Sequence, residues 1–126
     1  MALTNSGRDY IASAIVNADT PTFFTNANSY LAIGDSTTAF AVTQTDLVAP
    51  VNKLRKAMDA TYPTRTANAL VFKATFATGE ANFAWNEWGI FNASSGGTML
   101  NRVVSVLGVK SSGTWSLTVT LTVTTS

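Results

Sequence analysis

The chain has 126 residues, of which 46% are apolar and only 12% charged, and its formal net charge is +1. That length suits one domain, since single hydrophobic cores are usually built from about 100 to 150 residues. A charge so near zero leaves no electrostatic footprint for nucleic acid or an acidic membrane face. Histidine and cysteine are both absent, which excludes Ser-His-Asp and Cys-His nucleophilic sites, thiolate and imidazole metal sites, and disulfide scaffolding. Carboxylate, lysine or tyrosine chemistry survives this cut, as does an oxygen-ligated Ca²⁺ or Mg²⁺ site.

Ordinary domains carry roughly 25% charged residues, and an isolated monomer normally relies on a charged exterior for solubility. This exterior is therefore expected to be covered by neighbouring subunits or clothed in Ser, Thr and Asn. The first ten residues lack the basic start and apolar run of a signal peptide. No stretch approaches the roughly 18 to 20 unbroken apolar residues of a membrane helix, so synthesis in a cytoplasm is expected, with no membrane partner.

A helix is predicted over about 5–17. Thr4 or Asn5 can cap it, Asp9 lies near its positive end, and Tyr10, Ile11, Ala14 and Ile15 fall on one stripe. Residues 18–52 are loop-rich, with Phe23 and Phe24 as aromatic anchors and a short strand-like run at Tyr30–Ile33, stopped by Gly34–Asp35–Ser36. Antiparallel strands are predicted across 53–126. Over 54–62 a strand competes with a helix, because Leu54, Ala57 and Met58 also fit helical spacing; the period-two pattern favours the strand.

The later strands are clearer. Leu70, Phe72, Ala74 and Phe76 alternate with Val71, Lys73 and Thr75. Between Phe83 and Phe91 both parities carry aromatics, so both faces of that strand are expected to be covered, and regular alternation puts Trp85 and Trp88 on opposite faces. Ser94–Gly97 supplies a hairpin turn, Met99–Leu107 returns, and Ser111–Gly113 turns again. Last, Trp115, Leu117, Val119, Leu121 and Val123 alternate with Ser and Thr, whose face is either solvated or packed on another subunit. The expected fold is mainly β, an antiparallel sandwich or sheet with one N-terminal helix, in a single domain of 1–126.

Few constellations carry chemistry. The carboxylates are scattered, and no two are brought together by spacing as a glycosidase pair requires. Glu87, set between Trp85 and Trp88, needs a cation or hydrogen bonds if buried, and Arg102 on the following strand is its candidate partner in a structural ion pair. Lys53, Arg55 and Lys56 form the one basic cluster. On a strand the first two share a face, either as a docking site for an acidic partner or a phosphate backbone or as a charged edge that discourages aggregation. No phosphate-binding glycine loop or Ca²⁺ loop is present. No catalytic, cofactor or metal site is expected.

Taken together, ALTNSGRDYIASAI, SYLAIGDSTTAF, QTDL, KLRKAMDATYPTR, ANFAWNEWGIFNASSGGTMLNR and TVTLTV resemble small bacteriophage virion proteins. The middle pattern is similar to tail-fibre and tail-collar modules, in which a Gly-containing strand precedes a T-D-L segment and an E-x-G-[IF]-F hairpin leads to M-L-x-R. Those residues are here Gly34, Thr45–Asp46–Leu47, Glu87, Gly89–Ile90–Phe91 and Met99–Leu100–Asn101–Arg102. The resemblance implies a non-enzymatic, β-rich virion subunit assembled in the host bacterial cytoplasm. It implies a homo-oligomer such as a trimer, with the major capsid protein or tail proteins as partners. A fibre would continue into a repetitive shaft, whereas nothing follows Ser126, so a capsid decoration (cement) subunit is expected. The alternative is a tail-associated fibre or adaptor module that binds a receptor or glycan.

Overall fold

The computed structural model describes residues 2–125. Helix α1 (Asn5–Val16) begins at Thr4, whose extended backbone lets its hydroxyl oxygen accept from the Gly7 N–H, and closes at Asn17 in the left-handed conformation. Asp9 lies outside the first turn. The stripe of Tyr10, Ile11, Ala14 and Ile15 does not seat the helix, since Ile15 is 79% exposed. The helix instead docks through Gly7, its one buried residue, whose missing side chain lets the backbone approach the Leu100 carbonyl. Thr4 fastens the same turn, its N–H donating to Leu100 O at 3.2 Å and its hydroxyl to Met99 O at 2.6 Å.

Seven strands follow: β1 (Tyr30–Gly34), β2 (Lys53–Ala57), β3 (Thr64–Thr66), β4 (Ala69–Phe76), β5 (Ala84–Phe91), β6 (Met99–Val109) and β7 (Trp115–Thr122). They form two antiparallel sheets, sheet A ordered β2-β1-β5-β6 and sheet B ordered β3-β4-β7. The fold is mainly β with one N-terminal helix, as its alternation patterns imply.

The strand over 54–62 exists but is shorter than its alternation suggests. It stops at Ala57, because residues 58–63 cross to sheet B: the Asp59 N–H reaches Lys73 O, Thr61 takes a φ of 76°, and the Tyr62–Pro63 peptide is cis. Strand β3, three residues closed on β4 by a turn in which Ala67 has a φ of 52°, has no sequence signal of its own.

The Ser111–Gly113 turn does not make a hairpin of β6 and β7. β7 changes sheets and pairs with β4, because there its apolar residues find apolar neighbours: Trp115 opposite Phe76, Leu117 opposite Ala74, Val119 opposite Phe72 and Leu121 opposite Leu70. Ser116, Thr118, Thr120 and Thr122 are exposed on the outer face of the single chain. Val123 lies past the end of the strand and is exposed.

The main core joins both sheets, with Leu31, Ile33, Trp88 and Ile90 from sheet A and Phe72, Phe76, Val119 and Leu121 from sheet B. Trp85 belongs to it as well, edge-on to Phe76 and Trp115 with ring centroids 5.0 Å from each. Regular alternation separates Trp85 from Trp88, but the β5–β6 ladder is irregular between Trp85 and Glu87, and both tryptophans lie in one core. A smaller cluster of Ala32, Leu47, Phe91 and Met99 covers the other face of sheet A. Both faces of β5 are thus covered by this chain's own residues, one by sheet B and the other by the segment around Leu47. Of the two loop aromatics, Phe24 packs against the core and Tyr10, while Phe23 is exposed.

Candidate functional site

Glu87 lies in β5 directly opposite Gly34 of β1, and Arg102 lies in β6 opposite Gly89. Both charged side chains are fully buried, and Arg102 Nε donates to Glu87 Oε1 at 2.7 Å. Two further donors come from the segment after β1: the backbone N–H groups of Val48 and Ala49 reach Oε1 and Oε2 at 2.9 Å each. The Ser36 N–H adds a longer bond of 3.3 Å to Oε2. Burying an ion pair costs desolvation energy that direct attraction alone seldom offsets, so these extra hydrogen bonds are what make the pair tenable.

Arg102 continues the network outward. Its Nη1 donates to Gln44 Oε1 at 3.2 Å, and Gln44 in turn accepts from the Ala41 N–H and donates to Ala39 O. The pair therefore ties the long segment between β1 and β2 onto the outer face of sheet A. With four donors on its two oxygens and no exposure to solvent, the Glu87 carboxylate has neither free lone pairs nor access for a reacting group. Its chemistry here is that of a structural staple.

Glycines make room for this staple. A Cβ on Gly34 would overlap Glu87 Oε2, and a Cβ on Gly89 would lie 2.8 Å from Asn101 O and 3.5 Å from side-chain atoms of Leu47 and Met99. Gly34, Leu47, Glu87, Gly89, Phe91, Met99, Asn101 and Arg102, scattered along the sequence, meet in this one region of sheet A.

Lys53, Arg55 and Lys56 sit on β2, an edge strand of sheet A, and each has a carboxylate partner within the chain. Lys53 and Arg55 share a face and both reach Asp46, at 2.9 and 3.4 Å, while Lys56 points the other way and holds both oxygens of Glu80 at 2.9 Å. The three do not form one free basic patch, and their placement matches a charged, guarded edge. Lys53 and Arg55 line, with Asp46 and Ser94–Gly96, an open groove of about 350 Å³.

Arg55 is more than a surface charge. Its guanidinium lies 3.6 Å from the centroid of the Phe91 ring, and Nη1 donates to Ala93 O and Gly96 O at 2.9 Å each, clamping the β5–β6 turn. Partial burial pushes the Asp46 carboxyl upward, but hydrogen bonds from Lys53 and the Leu47 N–H, with the charges of Lys53 and Arg55, hold it below the usual aspartate value. The Lys56 ammonium, then the Ala77 N–H, hold Glu80 below the usual glutamate value.

Two structural roles have almost no sequence signal. Lys110 is completely buried and donates to Ala77 O at 2.8 Å, Thr78 O at 3.3 Å and Asn82 Oδ1 at 2.7 Å; its one hint is that it stands alone in a long uncharged stretch. Asn101 uses its Oδ1 to accept the Ile90 N–H where the β5–β6 register is irregular. Trp85 and Trp88, at 2% and 9% exposure, are unable to stack on a sugar. Among the described residues no group of three or more acidic side chains could hold a metal ion, and no helix is long and apolar enough to cross a membrane.

Compared with known proteins, the chain matches no family model, no curated protein and no solved structure.

Proposed function

We propose that this chain is a non-enzymatic structural subunit of a bacteriophage particle, a homo-oligomeric decoration or cement protein whose partner is the major capsid protein. The observation that carries the reading is the convergence on the Glu87–Arg102 pair. Of the residues similar to tail-fibre and tail-collar modules, Gly34 of β1, Leu47 of the segment before β2, Glu87, Gly89 and Phe91 of β5 and Met99, Asn101 and Arg102 of β6 adjoin one another around this pair, while Ile90 and Leu100 face the main core. Such convergence is expected when a scattered pattern marks one structural unit. The saturated carboxylate supports a scaffold rather than a catalyst, because its polar atoms are engaged in holding a loop to a sheet.

Cryo-electron microscopy of the source particle tests this reading. Copies distributed over the shell are expected; density confined to a tail vertex would overturn the cement role, and absence of the chain from purified particles would overturn the virion role altogether.

A second reading, a tail-associated module that binds a receptor or glycan, is favoured by a different feature. A groove of about 500 Å³ between α1 and the β5–β6 turn is lined by Asp9, Tyr10, Asp19, Asn92 and Thr98, a polar wall with one aromatic ring. Retention on host cells or on a glycan array, lost in Tyr10→Ala, is its test; no retention by the wild-type protein would exclude it.

A further inference from the structure

Lys53 and Arg55 meet Asp46 on unequal terms. Lys53 Nζ lies 2.9 Å from Asp46 Oδ2, whereas Arg55 Nη2 lies 3.4 Å from Oδ1, well beyond the about 2.7 to 2.9 Å of a good charge-assisted bond. Both side chains are tethered away from a closer approach. Asp46 Oδ1 already accepts the N–H of the next residue, Leu47, at 2.8 Å. Arg55 is fixed by the Phe91 ring beneath its guanidinium and by the two carbonyls that take Nη1, Ala93 O and Gly96 O. Nη2 is therefore a rigidly placed cationic donor that the chain's own carboxylate reaches only loosely.

All three side chains line the open groove of about 350 Å³. The charged residues in its wall are these two cations and one carboxylate, which leaves the groove with one net positive charge. Ser94 and Ser95, both exposed, add hydroxyls on the turn that Arg55 clamps. A planar guanidinium already held in place gives up little freedom when it takes a further acceptor.

We infer that this groove is a subsite for one carboxylate from an acidic side chain of a partner protein, bound between Arg55 Nη2 and Lys53 Nζ beside Asp46. The inference rests on the reading of the chain as a structural subunit with a protein partner, and names the chemistry by which that partner is gripped. Asp46 shows that a carboxylate can span the two cations. With Nη1 committed to the turn, Arg55 has one nitrogen left to offer, so the second oxygen of the ligand falls to Lys53. The incoming carboxylate brings the groove to two charges of each sign. A nucleic-acid backbone is the poorer occupant, because phosphates are held by neutralising several charges at once and the groove supplies a net charge of one in a chain of net charge +1.

The test is an NMR titration of the full chain at low salt with an end-blocked glycine-glutamate-glycine peptide, and with its glutamine counterpart as control. Saturable shifts of the Ser94, Ser95 and Gly96 amides are expected with the glutamate peptide alone, weakening as salt is added. Asp46→Asn keeps an oxygen for the Leu47 N–H but removes the competing charge, so it is expected to tighten binding roughly two- to fivefold; Lys53→Gln is expected to weaken it by a similar factor. Unchanged amide positions elsewhere verify that both variants fold. No saturable shift, equal shifts with the glutamine peptide, or weaker binding by Asp46→Asn would overturn the inference, as would tighter binding of a short single-stranded DNA at the same amides. Purified particles separate this from the wider reading. A chain that binds the glutamate peptide but is missing from particles removes the virion role alone, and a chain present on particles that shows no peptide shifts removes the subsite alone.

Discussion

Gly34 and Glu87 face each other across β1 and β5, and the glutamate carboxylate fills the volume that a side chain on Gly34 would occupy. One residue is small so that the other can be buried and still reach the backbone of Val48 and Ala49. Gly34→Ala is therefore expected to destabilise the fold by about 2 to 4 kcal/mol, combining overpacking with displaced hydrogen bonds. Gly79→Ala, where a Cβ meets nothing within 4 Å, is the neutral control. Urea denaturation of both variants measures the difference.

The Glu87–Arg102 pair should behave as a unit. Removing one member leaves the other charged and buried, so Glu87→Ala and Arg102→Met are each expected to cost about 3 to 5 kcal/mol. The double variant should cost clearly less than the sum, because no uncompensated charge remains. A double-mutant cycle with additive losses would show that the two side chains do not support each other. Hydrogen exchange should locate the first loosening in residues 35–49, which the carboxylate holds.

Arg55 separates docking from folding. Arg55→Lys keeps the charge but loses the planar guanidinium over Phe91 and the paired bonds to Ala93 and Gly96 carbonyls, at a cost of about 1 to 2 kcal/mol. Faster amide exchange across residues 92–98 is the expected sign. Charge reversal at Arg55 would therefore disturb folding as well as any attachment. Lys53→Glu, changing the more exposed partner of Asp46, is the better probe of whether the basic edge docks a partner, read as a salt-sensitive loss of particle binding.

Gly7→Ala should run against helix propensity. Alanine in a helix interior is ordinarily more stable than glycine by about 1 kcal/mol. Here the added Cβ would collide with the Leu100 carbonyl that receives the helix, and the Thr4 bonds to Met99 and Leu100 depend on the same approach. Lower thermal stability, with reduced helix signal by circular dichroism, is expected; a rise in melting temperature would show that α1 is seated otherwise.

Acid should weaken the β2 edge. Asp46 and Glu80 are both held below their ordinary values in the folded chain, so the unfolded chain takes up their protons at higher pH than the folded one does. Their contribution is complete above the usual carboxylate range and is lost as pH falls through it to the folded values. Both pairs are substantially exposed, so the effect is modest and is further reduced by salt. Thermal unfolding between pH 6 and 3, with Lys56→Ala removing the Glu80 part, checks the sign.

The fold class, β4 through β7, the turn glycines and the candidate Glu87–Arg102 pairing are legible in the sequence because each rests on local alternation or on the need of a buried charge for a partner. The same local reasoning overruns at Tyr62, where the chain turns to the other sheet, and misses β3, which is too short to show a period. It also misplaces Trp85 relative to Trp88. Alternation assumes an unbroken strand, whereas the β5–β6 ladder is irregular between Trp85 and Glu87.

By itself, the sequence determined the chemistry that is excluded, through the absence of histidine and cysteine, and a β-rich domain with one helix, because side-chain period is a property of neighbouring residues. Only the tertiary structure decided which strand β7 joins, that Glu87 is saturated by four donors, one on β6 and three in the segment between β1 and β2, and that Lys53, Arg55 and Lys56 are each paired within the chain. It also decided where the shortage of charge falls. The low charge is a property of the whole composition, but the ordering of strands puts charged side chains on one edge strand of each sheet, β2 and β3, and leaves the other edge strands, β6 and β7, without an exposed charge. Strand order depends on contacts between residues far apart in the chain, and no local pattern records it.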